Sequence, residues 1–268
     1  HLGVRRQRQM CIRDSALLGK VLLYQDKFAE AASALDNVIG VYSLVSEYGS
    51  QFLRFGENGP ESVFEIQYSN QSNWYDWGCA HCSEGNYAII MNGPRGWSGP
   101  EYAQGWSFNV PTEEFYNSFE EGDSRRDATV LDIEAFSAAT GASYTEGYDH
   151  TGYFNNKYIP RAGESGGQTE LNYLTNFRII RYSDVLLMAA EAYNRGGIDD
   201  GLAQEFLNQV RRRAFGGDDN DISASGSALT DAIWEERKFE LSLEGHRFFD
   251  LVRTCLLYTS PSPRDLST

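Results

Sequence analysis

Four of the five tryptophans, Trp74, Trp77, Trp97 and Trp106, fall within 33 residues otherwise rich in Asn, Gly and Ser. That combination suits recognition of sugars. The C–H faces of a pyranose stack on an indole plane, while Asn, Asp and Arg side chains take its hydroxyls by hydrogen bonds. Aromatic side chains do this well when a rigid base displays them on loops. Asn73-Trp74-Tyr75-Asp76-Trp77 sets such groups side by side, and Asn92-Gly-Pro-Arg95-Gly-Trp97 does so again. Asn73, Trp74, Tyr75, Asp76, Trp77, Asn92, Arg95 and Trp97 are therefore the candidate ligand-binding residues. The competing reading has these indoles pinning long loops to a scaffold, since Trp is usually largely buried. Trp106, next to Phe108 and Val110, fits that anchoring role best, and Trp234 reads as a core residue of a helix.

A second group is ionic: Arg181, Asp184, Glu191, Arg211, Glu236, Arg237, Glu240, Glu244, Arg247 and Asp250. Paired carboxylates could act as acid and base of a glycoside hydrolase, but only when about 5–9 Å apart across a bound sugar. At helical spacing along apolar helices, these charges are expected instead to form a structural network, Arg forks fixing the packing of successive helices. His246, inside the same segment, reads as a hydrogen-bonded core residue. Cys79-Ala-His81-Cys82 has the spacing of half a zinc site or of a redox motif, yet no second Cys pair accompanies it; a local disulfide or two free thiols fit better. Asp218-Asp-Asn-Asp221 lacks the ligand order and glycine of a calcium loop. There is no phosphate-cradling glycine loop and no Gly-x-Ser-x-Gly elbow. No catalytic residue, metal or cofactor is expected.

The formal charge of −15 argues against a nucleic-acid partner and against an anionic membrane surface, both of which need a basic face. No run of about 18 apolar residues is present to span a bilayer. Both ends look foreign to the rest. Met10-Cys-Ile-Arg-Asp14 and Cys255-Leu-Leu-Tyr-Thr-Ser260 can be encoded by opposite strands of one duplex, TGT CTC TTA TAC ACA TCT, as in a sequencing adapter. Residues 1–15 and 255–268 are therefore expected to be adapter-derived tails around a domain of residues 16–254. Without the four Arg and one Asp of the first tail, the charge of that domain is −18, and its cysteines are Cys79 and Cys82 alone.

The elements that must carry these groups are mostly helical. Apolar spacing predicts two helices over residues 16–39, with Leu17, Leu18, Val21 and Leu22 as the first apolar face and a tight turn at 24–28. A second pair is expected over 184–194 and 202–215, stopped by Gly196-Gly197, and a third helix over 228–243. Helical hairpins of similar length suggest a tetratricopeptide-like scaffold, whose units bury their faces by stacking. Between them, residues 62–68 alternate like a short strand, with Phe64, Ile66 and Tyr68 on one side. Thr112 caps a short helix, residues 70–105 show no sustained period, and 136–152 and 161–173 read as loops. The expected class is mostly α, with a loop-rich region and little β. No low-complexity linker divides it.

Several blocks, in order, resemble the SusD/RagB family. Arg178-Ile-Ile-Arg-Tyr-Ser-Asp-Val-Leu-Leu-Met-Ala-Ala-Glu191 resembles its helix-opening signature, and Leu207-Asn-Gln-Val-Arg-Arg-Arg-Ala214 its next helix. Ile233-Trp-Glu-Glu-Arg-Lys-Phe-Glu-Leu-Ser-Leu-Glu-Gly-His-Arg-Phe-Phe-Asp-Leu-Val-Arg253 resembles its C-terminal signature. The resemblance covers residues 16–253. It implies a tetratricopeptide-like scaffold under an irregular, loop-rich region. It further implies an outer-membrane, surface-exposed lipoprotein of Bacteroidota that binds oligosaccharide without cleaving it and delivers it to a SusC-like TonB-dependent transporter. The lipid-bearing Cys of that family precedes the part matched here. Two rival readings are a tetratricopeptide-type peptide-binding adaptor, with its ligand on inner helix faces, and a glycoside hydrolase.

Overall fold

The computed structural model describes residues 2–71, 77–166 and 171–256. Along the chain, α1 (Leu2–Tyr24) runs through the Ser15–Ala16 junction and is followed by α2 (Phe28–Asp36). Then come β1 (Ser62–Ile66), α3 (Ala88–Met91), β2 (Arg95–Ser98), α4 (Glu113–Asn117), α5 (Arg125–Thr129) and β3 (Val130–Asp132). They are followed by α6 (Ile133–Thr140), β4 (Ser143–Thr145), β5 (Tyr153–Asn155) and β6 (Phe177–Arg181). The last elements are α7 (Tyr182–Arg195), α8 (Asp200–Phe215), α9 (Gly226–Glu240) and α10 (Arg247–Arg253). Three two-stranded sheets, β1 with β6, β2 with β4 and β3 with β5, supply the β structure of the described residues. The chain is mostly α, as its patterning predicts.

It divides into two compact units: residues 1–44 with 180–268, and residues 45–179. In the first, α7 is the central helix and touches α1, α2, α8 and α9. It is buried almost all round, from Tyr182 to Ala192, which is why its sequence is apolar beyond a single stripe. Against it α8 turns Phe206, Leu207 and Val210, and α9 turns Leu229 and Ile233. Asp199 caps α8 by accepting a hydrogen bond from the Leu202 amide, and Gly216 ends it in a left-handed conformation. The apolar face expected on α1 lies elsewhere. Leu17, Leu18 and Val21 are exposed, and the packed face is Ala16, Gly19 and Leu23. Gly19 decides this: a Cβ there would sit 2.5 Å from Leu35 Cγ of α2, so only glycine lets the two helices approach this closely.

The ionic residues form their pairs within this unit, on buried faces. Arg181 forks onto Glu244, with Nε–Oε2 2.7 Å and Nη2–Oε1 2.8 Å, and also holds Glu240 at 2.9 Å. Arg237 joins Asp184 at 2.8 Å to Asp250 at 3.1 Å, linking α7, α9 and α10. Arg253 continues the chain to Asp250 and, bidentately, to Glu191. Arg211 pairs with Glu236 at 2.9 Å. Lys20 reaches from α1 to Asp184 at 3.3 Å and to His246 Nδ1 at 3.2 Å. Nine of the ten expected network residues meet in this way. Arg247 makes no such pair with a described residue.

The electrostatics give a pH prediction. Burial alone would raise the Asp184 carboxyl, but Lys20, Arg237 and His246 hold it well below the usual carboxylate range. Against the same burial penalty, Arg253 lowers Glu191, and Arg237 with Arg253 lowers Asp250. Burial lowers the His246 imidazole, opposed in part by Asp184. All four groups therefore bind protons more readily in the unfolded chain. Their stabilisation is complete above the unfolded values, about 6.5 for His and about 4 for carboxylates, and is lost as pH falls through the folded ones. The urea midpoint is expected to decline below about pH 6.5 and to collapse below about pH 4. His246→Asn should remove the first decline. A midpoint flat from pH 7 to pH 3 would contradict the pairing.

The second unit is built from short pieces around two apolar clusters. One holds Tyr48, Phe52, Ile89, Ile90, Tyr158 and Tyr173; the other holds Tyr102, Leu131, Ile133, Phe154 and Ile159. In β1 the expected alternation holds, but Phe64 and Ile66 face outward while Val63 and Glu65 are buried. Glu65 can be inside because Asn176 donates to it at 3.0 Å and Arg178 lies 3.6 Å away. Thr112 caps α4 through the Phe115 amide, as expected. The region read as a loop from Phe136 begins inside α6, which is capped by Asp132 at one end and closed by left-handed Gly141 at the other.

Candidate functional site

The sugar-type side chains that the structure describes belong to the second unit. Helix α3 buries Ile89 and Ile90 in the first apolar cluster and ends at Asn92. The Asn92 carboxamide is buried and turned inward: Nδ2 donates to the Tyr158 carbonyl at 2.9 Å, and Oδ1 accepts from Asn109 at 3.4 Å. It holds the loop from behind. Residues 105–108 then lie along residues 90–94 through four hydrogen bonds, each donated by a backbone amide to a carbonyl: Gly105 to Pro94, Trp106 to Ile90, Ser107 to Gly93 and Phe108 to Met91, all 2.8–2.9 Å. The approach is so close that a Cβ on Gly105 would sit 1.8 Å from the Asn92 carbonyl oxygen. Gly105→Ala is therefore expected to force this segment off α3 and to lower the thermal midpoint by several degrees. Near-UV circular dichroism should lose tryptophan signal in parallel.

The segment is strained as well as close. Ser107 (φ 59°) and Asn109 (φ 54°) are both left-handed, a conformation that Asn tolerates and Ser does not favour. Ser107 is fixed there by its hydroxyl, which accepts from the Arg95 amide at 3.2 Å and donates to the Gly93 carbonyl at 3.4 Å. Residues on either side of such a fixed point are held in place before any ligand arrives.

Those residues are aromatic. Trp106 is half-buried and packs on the first apolar cluster. Trp77, 47% exposed, lies over it with ring centroids 5.4 Å apart and planes tilted by 31°. Arg95 donates from Nε to the Trp106 carbonyl at 2.7 Å and sets its guanidinium 5.7 Å above the Phe108 ring. Phe108 itself is 53% exposed. Gly147 passes so near Ser107 that a Cβ there would meet its Cβ at 3.0 Å, and the next residue, Tyr148, is 92% exposed. The result is a partly open surface of indole and phenyl faces, Trp77, Trp106 and Phe108, with the Arg95 guanidinium among them. Flat apolar faces beside fixed polar donors can stack a sugar ring and bond its hydroxyls.

Of the residues predicted from sequence, Trp77 and Arg95 are brought together through Trp106. Asn92 supports them from beneath. Trp97 goes elsewhere: it is half-buried in the second cluster, 5.9 Å from both Tyr102 and Phe136. Asn73, Trp74, Tyr75 and Asp76 lie outside the described residues. Trp106, expected only to anchor, does anchor and also carries Trp77. Phe108 is an addition that sequence reasoning missed. A signal existed, since it stands two residues from Trp106 in the same irregular stretch. Trp234 is half-buried on α9 with Arg195 above its ring at 5.6 Å.

Comparison with known proteins bears on the family and the fold. A protein-family profile described as the SusD family matches residues 60–262. SusD-like protein P2 of Formosa agariphila is 31% identical over 208 residues, which span 72% of this chain and 39% of that protein. Among solved structures, a laminarin-binding SusD-like protein is 39% identical with a TM-score of 0.80, covering 91% of this chain and 54% of its own. Surface glycan-binding protein A from Bacteroides thetaiotaomicron, solved with laminarihexaose, is 31% identical with a TM-score of 0.82, covering 95% of this chain and 57% of its own. The chain thus spans about half the length of these solved relatives.

Proposed function

The chain belongs to the SusD family, and from that premise we propose that it captures an oligosaccharide at the cell surface without cleaving it and passes it to a TonB-dependent transporter. One observation supports the binding step above the others: Trp77, exposed, lies on a Trp106 that the core holds fast, with Arg95 and Phe108 alongside. A rigid aromatic face costs little to order when ligand stacks on it. Two similar proteins, by their descriptions, bind laminarin or were solved with laminarihexaose. A β-glucan is accordingly the first ligand class to try. In this reading the helical unit serves as scaffold, and its buried carboxylates are spent on arginines instead of on chemistry.

Outer-membrane anchoring by lipid and docking to a SusC-like transporter are proposed from family membership. No helix among the described residues is long and apolar enough to cross a membrane. The test is calorimetric titration with laminarihexaose, then xylo- and manno-oligosaccharides, with chromatography of each sugar after prolonged incubation. Saturable binding of at least one with every sugar recovered intact is the expected result. Shortened products would make the protein a hydrolase, and peptide binding without sugar binding would favour an adaptor.

A further inference from the structure

The Cys79–Cys82 pair is a motif that the binding site as described leaves unused. The two cysteines are joined by a disulfide, with Cα atoms 5.4 Å apart. Their sulfurs are thereby committed to each other and are not thiolates for a metal. Among the described residues, no group of three or more His, Cys, Asp or Glu side chains could hold one. The bond closes residues 79–82, the second half of the turn Trp77–Cys82, which opens two residues earlier with the exposed indole of the platform. Both feet of the surrounding excursion are tied down. The Ser69 amide donates to Glu84 at 3.0 Å, Asn172 Nδ2 to the Asn70 carbonyl at 2.9 Å, and the Asn86 amide to Tyr173 at 2.8 Å. Gly85 presses against the backbone of residues 171–172. Between these feet the covalent ring adjoins Trp77, an indole too exposed for burial alone to fix its tilt on Trp106.

We propose that the Cys79–Cys82 disulfide is a positioning element for sugar binding, holding the backbone that sets Trp77 on Trp106. The proposal rests on the reading of those two rings as a sugar platform. Such a cross-link removes alternative conformations of the turn and so lowers the entropy that ligand binding would otherwise have to remove. Cys82 is exposed and Cys79 half-buried, within reach of a small dithiol. Dithiothreitol would break the Sγ–Sγ bond by exchange, each cysteine ending as a protonated thiol while the reagent, oxidised by the same two electrons, closes on its own disulfide.

The test uses the full chain and laminarihexaose as probe, before and after reduction, beside Cys79→Ser/Cys82→Ser and Trp77→Ala variants. Reduction and the double serine variant should each weaken binding by roughly 2- to 10-fold, the range for releasing one or two ordered groups. Reduction of the double variant should change nothing further, so that the free Cys11 and Cys255 are controlled for. Near-UV circular dichroism reads the Trp77–Trp106 couplet without any sugar. A couplet that survives reduction intact overturns the proposal, as does unchanged affinity while Trp77→Ala loses binding. Full affinity in Trp77→Ala would instead sink the platform reading itself.

Discussion

Arg237→Ala is expected to lower the unfolding free energy by about 3–5 kcal/mol, the usual cost of leaving buried charges without their partner. Arg237 is buried between Asp184 and Asp250, and both carboxylates are held below their ordinary range in part by its charge. Removing it leaves two buried acids facing Lys20 and Arg253, and a cavity where the side chain was. For a chain of this size the shift in thermal midpoint should be roughly 6–20 °C. Arg212 provides the comparison. It pairs with Glu205 and Asp221, but all three side chains are partly open to water. Arg212→Ala should therefore cost about 1 kcal/mol or less. Urea melts of both variants decide the matter, and equal losses would mean that burial does not govern these pairs. The conservative Arg237→Lys should recover only part of the loss, because a point charge cannot reach both acids as a fork does.

The scaffold was legible because it repeats one local rule. Apolar residues every three or four positions, with glycines at the ends, placed α7, α8 and α9 to within a few residues. The ionic network was legible for a related reason, since charges on the apolar stripe of a helix must find partners. What failed was the assignment of sides. Leu17, Leu18 and Val21 outweigh Ala16 and Gly19 in hydrophobicity, yet α1 packs through the small residues, because close approach to Leu35 needs room and not mass. In β1, Glu65 is inside only because Asn176 and Arg178, more than a hundred residues later, meet it there. Helix α6 had readable ends in Asp132 and Gly141, but its eight residues are too few to show a period. Of the candidate platform, the residue types were legible and the layout was not. Indoles among Asn and Gly suggest a stacking surface, whereas the partnership of Trp77 with Trp106, and the departure of Trp97 to another cluster, depend on contacts that no local pattern encodes.

That layout separates the three tryptophans by experiment. Trp77→Ala is expected to weaken oligosaccharide binding by about 2 kcal/mol, roughly 30-fold, as for an aromatic residue at the centre of an interface. It should barely move the melting temperature, because the indole is half in water and lies on the outer side of the platform. Trp97→Ala should do the reverse. Its ring fills space beside Tyr102 and Phe136, so its loss should destabilise the fold by about 2–3 kcal/mol, somewhat less than a fully buried ring, and leave affinity nearly intact. Trp106→Ala should lose on both measures, since the same ring meets the core and carries Trp77. Calorimetry on the three variants, each checked by thermal melting, reads these outcomes directly. If Trp97→Ala abolished binding while Trp77→Ala kept it, the sugar would have to lie over the second cluster. Arg95 and Phe108 would then be surface ornaments of a loop whose strain at Ser107 served no ligand. The cost of holding Ser107 left-handed, about 1–2 kcal/mol, is easier to understand if the rings on either side of it must be in place before the sugar arrives.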